Sequence, residues 1–291
     1  MIYFYVFFIV FFFLILQAVA FLTLMERHLL GGSQSRLGPN KVGYLGFLQC
    51  MFDGLKLIKK EYLLIFNSYF VSFFMVPVMG FISMFFLWFT LPYFFSFFSF
   101  YYSSIFMLCV ISFSSYFVFL SGIFSNSKYG FLGGIRSSIQ SFSYEIAFSI
   151  YVLCFLIFYN EFFFVSGFYF IFIFLVFPFF FLILMDLHRV PFDFSECEGE
   201  LVSGYNVEFS SVGFALLFLS EYGNLLYFMM LFVVLFFNYS FLLYYLMLMV
   251  IIFIRSSFPR YRFDKMMSVC WFDFLPYGIY LFFFFLLFII Y

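Results

Sequence analysis

No charged side chain occurs in residues 1–25, and none between Glu61 and Lys128. A run of that length cannot be hidden in a water-soluble fold. At about 1.5 Å per helical residue it does cross the roughly 30 Å of hydrocarbon in a bilayer. The rest of the 291 residues is of the same kind, 67% hydrophobic and 9% charged, which excludes a polar surface facing water. The chain therefore reads as an all-α, polytopic membrane protein. Charged or turn-forming residues divide it into about eight transmembrane helices, near 1–25, 69–91, 100–122, 137–159, 166–185, 210–237, 241–254 and 274–291. These make a single integral membrane domain over residues 1–291. Residues 1–25 lack a basic leader and a small-residue cleavage site, so they read as a retained span, ended by Glu26 and Arg27.

The 13 Lys and Arg residues support that division. Six follow span one (Arg27, Arg36, Lys41, Lys56, Lys59, Lys60), two follow span three (Lys128, Arg136), Arg189 follows span five, and four follow span seven (Arg255, Arg260, Arg262, Lys265). With eight spans these gaps share one side of the membrane, and positive residues mark the inner side. Both termini then face the opposite compartment. The basic residues form no basic domain, so nucleic-acid binding is not expected. The five cysteines contain no C-x-x-C pair and the only histidines are His28 and His188, so no metal or haem site is read from spacing. Phe occurs 63 times against four Ala, a bias that helix propensity does not ask for. It fits T-rich coding DNA, from a compact organellar genome or from another AT-rich lineage.

The polar residues are concentrated. After span one, GGSQSRLGPNKVG reads as a structured loop, because Gly31, Gly32, Gly38 and Pro39 oppose a helix. Tyr44, Phe47, Leu48, Met51, Leu55 and Ile58 then recur at helical spacing opposite Gln49, Asp53, Lys56 and Lys60, predicting a short amphipathic helix at the interface or against a partner. Lys128 and Arg136 bracket a second glycine-bearing loop. Seven of the 14 acidic residues lie between Asp186 and Tyr222. Within that segment Ser195 and Glu198 have capping-box spacing, and Glu196 and Glu200 would share a helix face. Those carboxylates face water, pair with loop arginines or share protons. Glu145 and Glu221 each fall about nine residues inside a predicted span, roughly 13 Å along its axis. A carboxylate at such depth is expensive. It belongs either to a proton relay leading from the acidic segment or to a structural buried pair.

Four stretches, in order along the chain, carry a resemblance: ERHLLGGSQSRLGPNKVGYLGFLQ with DGLKLIKKE; SNSKYGFLGGIRSSIQSFSYE; RVPFDFSECEGELVSGYNVEF with FALLFLSEY; and RSSFPRYRFDKMM with FLP. They resemble successive motifs of the chain 1 family of NADH:ubiquinone oxidoreductase, the membrane subunit of respiratory complex I beside its quinone site. The resemblance spans nearly the whole chain. It implies a core membrane subunit of a proton-pumping enzyme complex, forming part of the quinone chamber and of the acidic path that couples quinone reduction to proton translocation. Matched residue by residue, Arg27, Gln34, Arg36, Asp53, Lys56 and Arg255 take the quinone-chamber positions. Tyr144, Glu145, Asp186, Asp193, Glu196, Glu198, Glu200 and Glu221 take positions on the proton path.

The same resemblance implies ubiquinone as substrate and no redox centre or bound cofactor in this chain, with NADH, FMN and iron–sulfur clusters in partner subunits. Partners would be the hydrophilic subunits at the quinone site, neighbouring membrane-arm subunits and the lipid bilayer. The location would be the mitochondrial inner membrane, with the basic loops on the matrix side. Two departures stand out: Asp186 in DLHR occupies a position where the family has Glu in E-T-N-R, and His188 replaces the amide. The region between spans six and seven is also shorter than usual. An independent proton- or cation-coupled transporter is the rival class, since it too needs buried carboxylates, and it predicts activity from the chain reconstituted alone.

Overall fold

The computed structural model describes residues 2–63, 70–93, 100–164, 172–194 and 204–290. Every regular element among them is helical: α1 (Ile2–Ser33), α2 (Gln49–Lys59), α3 (Phe70–Trp88), α4 (Ser103–Phe124), α5 (Lys128–Tyr159), α6 (Ile173–Asp186), α7 (Ser211–Phe237), α8 (Phe241–Ser257), α9 (Phe263–Ser268) and α10 (Leu275–Ile290). Six stretches are long and apolar enough to cross a membrane: 6–33, α3, α4, α5, α7 and 263–288. α6 and α8 are apolar but shorter, at 14 and 17 residues. They occupy the places of predicted spans five and seven. The predicted start of span five, 166–171, lies outside the described residues.

Several boundaries differ from the sequence reading, and for one reason. In hydrocarbon a backbone amide has no water to bond, so the helix persists through residues that would end it in a soluble protein. α1 runs past Glu26 and Arg27 and includes Gly31 and Gly32; it stops where Arg36 N donates to Gly31 O at 2.9 Å. The predicted glycine loop before span four is instead the first turns of α5, with the Ser127 hydroxyl accepting from Gly130 N. Predicted span eight begins earlier, because α9 continues through a π-helical turn, Val269–Phe274, into α10. The amphipathic helix begins at Gln49, after a 3₁₀ turn at Tyr44–Gly46.

α5 and α7 form the centre. α5 packs on α4, α6 and α10, and α7 on α3, α1 and α8. Lipid is as apolar as a leucine, so burying apolar area drives little association here and close packing must do it instead. Phenylalanine supplies much of that packing: Phe148 of α5 lies 5.2 Å from Phe179 of α6, and Phe155 of α5 lies 5.2 Å from Phe236 of α7. Glycine supplies the rest. A Cβ on Gly122 of α4 would come within 2.7 Å of the Gly134 Cα on α5.

The connections sort onto two ends. At one end Leu63 N donates to Ser210 Oγ at 2.9 Å, and Tyr261 N donates to Pro191 O at 3.0 Å. At the other Ser104 N donates to Phe162 O at 3.2 Å, and the Tyr239 hydroxyl donates to Pro92 O. The segments after α2, α6 and α8 therefore meet at the first end, bringing Lys60, Arg189, Arg260 and Arg262 to it.

Gly133 touches the turn Gly204–Asn206, and a Cβ there would lie 2.9 Å from the Gly204 Cα. Backbone cannot yield as a side chain tip can. Gly133→Ala is expected to destabilise the fold by about 1–3 kcal/mol, seen as a lower thermal midpoint. Gly32→Ala, with nothing within 4 Å of the added atom, should leave that midpoint unchanged.

Candidate functional site

Glu26 is the carboxylate on which the basic end converges. It lies in α1, is 6% exposed, and accepts from three elements. Arg189, in the segment after α6, donates to Glu26 Oε1 at 3.1 Å; Arg255 of α8 donates to the same oxygen; and the Tyr222 hydroxyl of α7 donates to Oε2 at 2.7 Å. The Arg189 guanidinium also lies 4.2 Å from the centre of the Tyr222 ring. Burial works against the charge of Arg189, but Tyr222 and Glu26 outweigh it and hold its pKa above the ordinary value. Arg189 is itself placed by Gln140 of α5, whose amide donates to Met185 O at 2.9 Å and Phe192 O at 3.0 Å, on either side of it.

Beside this node is a cavity of about 280 Å³, walled by α3, α4, α7 and the segment after α6. Asp186, His188, Asp193, Glu221 and Arg255 line it. Glu221 accepts from the Tyr205 hydroxyl and bonds Asn206, both in the turn Gly204–Asn206, and feels Arg189. Asp193 is 6% exposed and pairs with Arg260 at 3.5 Å. Glu145, near the middle of α5, lies beside Ser115 of α4 and close enough to Asp186 for the two carboxyl groups to repel. One Glu145 oxygen is buried with no hydrogen-bond partner among the described residues. Glu145 and Glu221 are thus not paired with each other; Glu221 lines the cavity, while Glu145 lies behind its wall, next to the lining residues Asp186 and Ser115. The space is large and polar enough for several waters.

The other predicted residues lie elsewhere. Arg27 reaches from α1 to Asp53 of α2 at 2.7 Å, an exposed pair. Arg36 Nε donates to Gln34 Oε1 at 2.8 Å, and Lys56 is exposed on α2. Arg255 is the one predicted quinone-chamber residue that touches the cavity. α2 turns Cys50 inward, while Met51, Leu55 and Ile58, its predicted apolar face, are exposed. Tyr144 is fully buried but does not line the cavity; Cys270 is its neighbour, and its hydroxyl has no hydrogen-bond partner among the described residues. Glu196, Glu198, Glu200 and the Ser195 cap lie outside the described residues. Among the described residues no group of His, Cys, Asp and Glu is placed to hold a metal ion.

Sequence reasoning missed Glu26, Arg189, Tyr222 and Tyr205. A charge after 25 apolar residues reads as the edge of a membrane, and a single Arg after a span reads as a topology marker. The available signal was their isolation: Arg189 is the one basic residue between Arg136 and Arg255.

Fold and site together define a polytopic α-helical membrane protein that keeps a cluster of carboxyl groups around an internal polar cavity next to its basic end. Residues 6–286 match the family model described as NADH dehydrogenase. The chain is 40% identical over 286 residues to NADH-ubiquinone oxidoreductase chain 1 of Anopheles gambiae, covering 93% of this chain and 91% of that one. It is 39% identical over 285 residues to the chain 1 of Aedes aegypti, with the same coverage, and 40% identical over 272 residues to that of Artemia franciscana, covering 90% and 91%. The chain belongs to the NADH dehydrogenase family, among the chain 1 subunits of NADH-ubiquinone oxidoreductase, respiratory complex I.

Removing Glu26 leaves two arginines facing each other without their anion. Glu26→Ala is expected to cost roughly 3–5 kcal/mol, as breaking a buried ion pair does. The readout is the amount and thermal midpoint of the assembled protein. Asp53→Ala, which breaks only an exposed pair, should cost at most about 1 kcal/mol.

Proposed function

We propose that this chain supplies part of the quinone-binding chamber of a proton-pumping NADH:ubiquinone oxidoreductase and carries the first acidic groups on the route from that chamber to the membrane. The observation that carries the reading is the cavity lined by Asp186, Asp193 and Glu221, with Glu145 reached through Asp186 and Ser115. Electrons for the quinone come from NADH through the flavin and iron–sulfur centres of partner subunits. The protein lies in the mitochondrial inner membrane, and the end that gathers its Lys and Arg residues faces the matrix and the hydrophilic partner subunits.

The chemistry follows from charge. Adding two electrons to a quinone head group builds negative charge on its oxygens, and that charge draws protons and cations. Arg36, with Gln34 fixing its guanidinium, and the Arg27–Asp53 pair stand at the matrix end to orient the head group. Arg255 connects that end to the interior, since it touches both Glu26 and the cavity. A proton taken from the cavity by the reduced quinone leaves a carboxylate behind. Tyr205 and Arg189 stabilise it at Glu221, and Arg260 at Asp193. The deficit is then refilled from Glu145 and Asp186, whose burial between α4, α5 and α6 points it toward the middle of the membrane. The phenylalanines exposed on the bundle suit an isoprenoid tail that enters from the bilayer.

The test separates quinone chemistry from electron entry. In the assembled complex, Arg36→Ala and Glu145→Gln are each expected to lower NADH-driven quinone reduction at least tenfold. Reduction of an artificial acceptor upstream of the quinone should stay at the wild-type rate. Equal loss of both activities would assign these residues to assembly, and transport by the chain reconstituted alone would favour an independent transporter.

A further inference from the structure

His188 stands in the cavity wall in a way that packing alone does not explain. It occupies the turn that ends α6, with a positive φ of 50°, and its N–H donates to Met185 O at 3.3 Å. A left-handed position suits Gly or Asn at less cost than a ring-bearing residue. The imidazole lines the 280 Å³ cavity, and its Nδ1 is buried with no hydrogen-bond partner among the described residues. A buried acceptor without a donor forfeits roughly 1–3 kcal/mol. The other titratable groups that line the same cavity are Asp186, Arg189 and Asp193 from its own segment, Glu221 and Tyr222 from α7, Tyr205 from the turn Gly204–Asn206, and Arg255 from α8. Glu145 of α5 acts on the same space through Asp186.

We propose that His188 is a proton-carrying group of this cavity, passing protons between the Asp186–Glu145 side and the Glu221–Asp193 side. The inference rests on the proton-coupling reading above and adds to it a residue with two exchange atoms. The Asp186 carboxyl transfers a proton to Nδ1, and the Nε2 proton leaves through cavity water to the carboxylate of Glu221 or Asp193. One proton arrives and one departs, no electron moves, and the ring is neutral before and after. Reorientation of the ring resets it. Burial pushes the imidazole pKa down to about 4 from the usual 6.5, so the charged ring is a passing species that does not trap the proton. The neutral resting form, with one nitrogen donating and the other accepting, is the one a relay requires.

The decisive variant is His188→Asn in the intact complex. Asn tolerates the left-handed turn and keeps an amide at the cavity but cannot accept and release a proton. The expected result is normal assembly, normal reduction of an upstream artificial acceptor, and quinone reduction at least threefold slower, with the deficit growing as pH rises and protons become scarce. Added imidazole, small enough for the cavity, should restore part of the rate. Wild-type turnover with an unchanged pH profile would overturn the proposal. So would a slowed enzyme that neither imidazole nor lower pH improves, because that is the signature of a turn-filling role. Should His188→Asn fail to assemble, the infrared difference spectrum of the wild-type complex on quinone reduction, compared with that of His188→Gln, supplies the answer. Loss of an imidazole band supports the relay and an unchanged spectrum rejects it. Glu145→Gln keeps the two readings apart: if it too is inert, the coupling reading falls; if it slows turnover while His188→Asn does not, only the inference about His188 falls.

Discussion

The bundle's basic end is held by one carboxylate shared between two guanidinium groups. Glu26 binds Arg189 and Arg255 through the same oxygen and Tyr222 through the other, so α1, α7, α8 and the segment after α6 are referred to a single point. Desolvating these charges costs several kcal/mol per ion, and satisfying all of them at once is what makes the arrangement tolerable. Its consequence is geometric. With Arg189 fixed by Glu26, Tyr222 and the Gln140 bonds to its flanks, Asp186, His188 and Asp193 are presented to the cavity.

That placement divides the acids by the company they keep. Glu26 and Asp193 have arginine partners; Glu221 has Tyr205 and Asn206 as donors and Arg189 close by; Glu145 and Asp186 act on each other, with Ser115 beside Glu145. On the proposed reading, carboxyl groups with such different partners form a series along which a proton can pass, and charge on a quinone would act first on the groups closest to it. The exposed Arg27–Asp53 pair and the Arg36–Gln34 contact stand apart from this series, at the surface.

Much of this was readable from residue order. Uncharged runs gave the helices, and Glu145 and Glu221 declared themselves as acids inside apolar spans. The misreadings share a cause. Glu26 was taken for a boundary, and Gly130, Gly133 and Gly134 for a loop, because both judgements assume that charge seeks water and that glycine frees the backbone. Inside a membrane, charge can seek a partner from a distant segment, as Arg189 and Arg255 show. Glycine there permits close approach, as the Gly122–Gly134 contact shows. Tyr144 carries the opposite lesson: adjacent to Glu145 in sequence, it points to Cys270 and away from the cavity, since neighbours on a helix face different ways.

The central claim is that the cavity's carboxyl groups carry protons as well as shaping the fold, and the most direct measurement is the number of protons moved per electron by the assembled complex bearing Glu221→Gln. The amide preserves size and still accepts from Tyr205 through its oxygen but has no transferable acidic proton. The account predicts a complex assembled to the normal level whose proton-to-electron ratio is reduced; a wild-type ratio in that complex would contradict it.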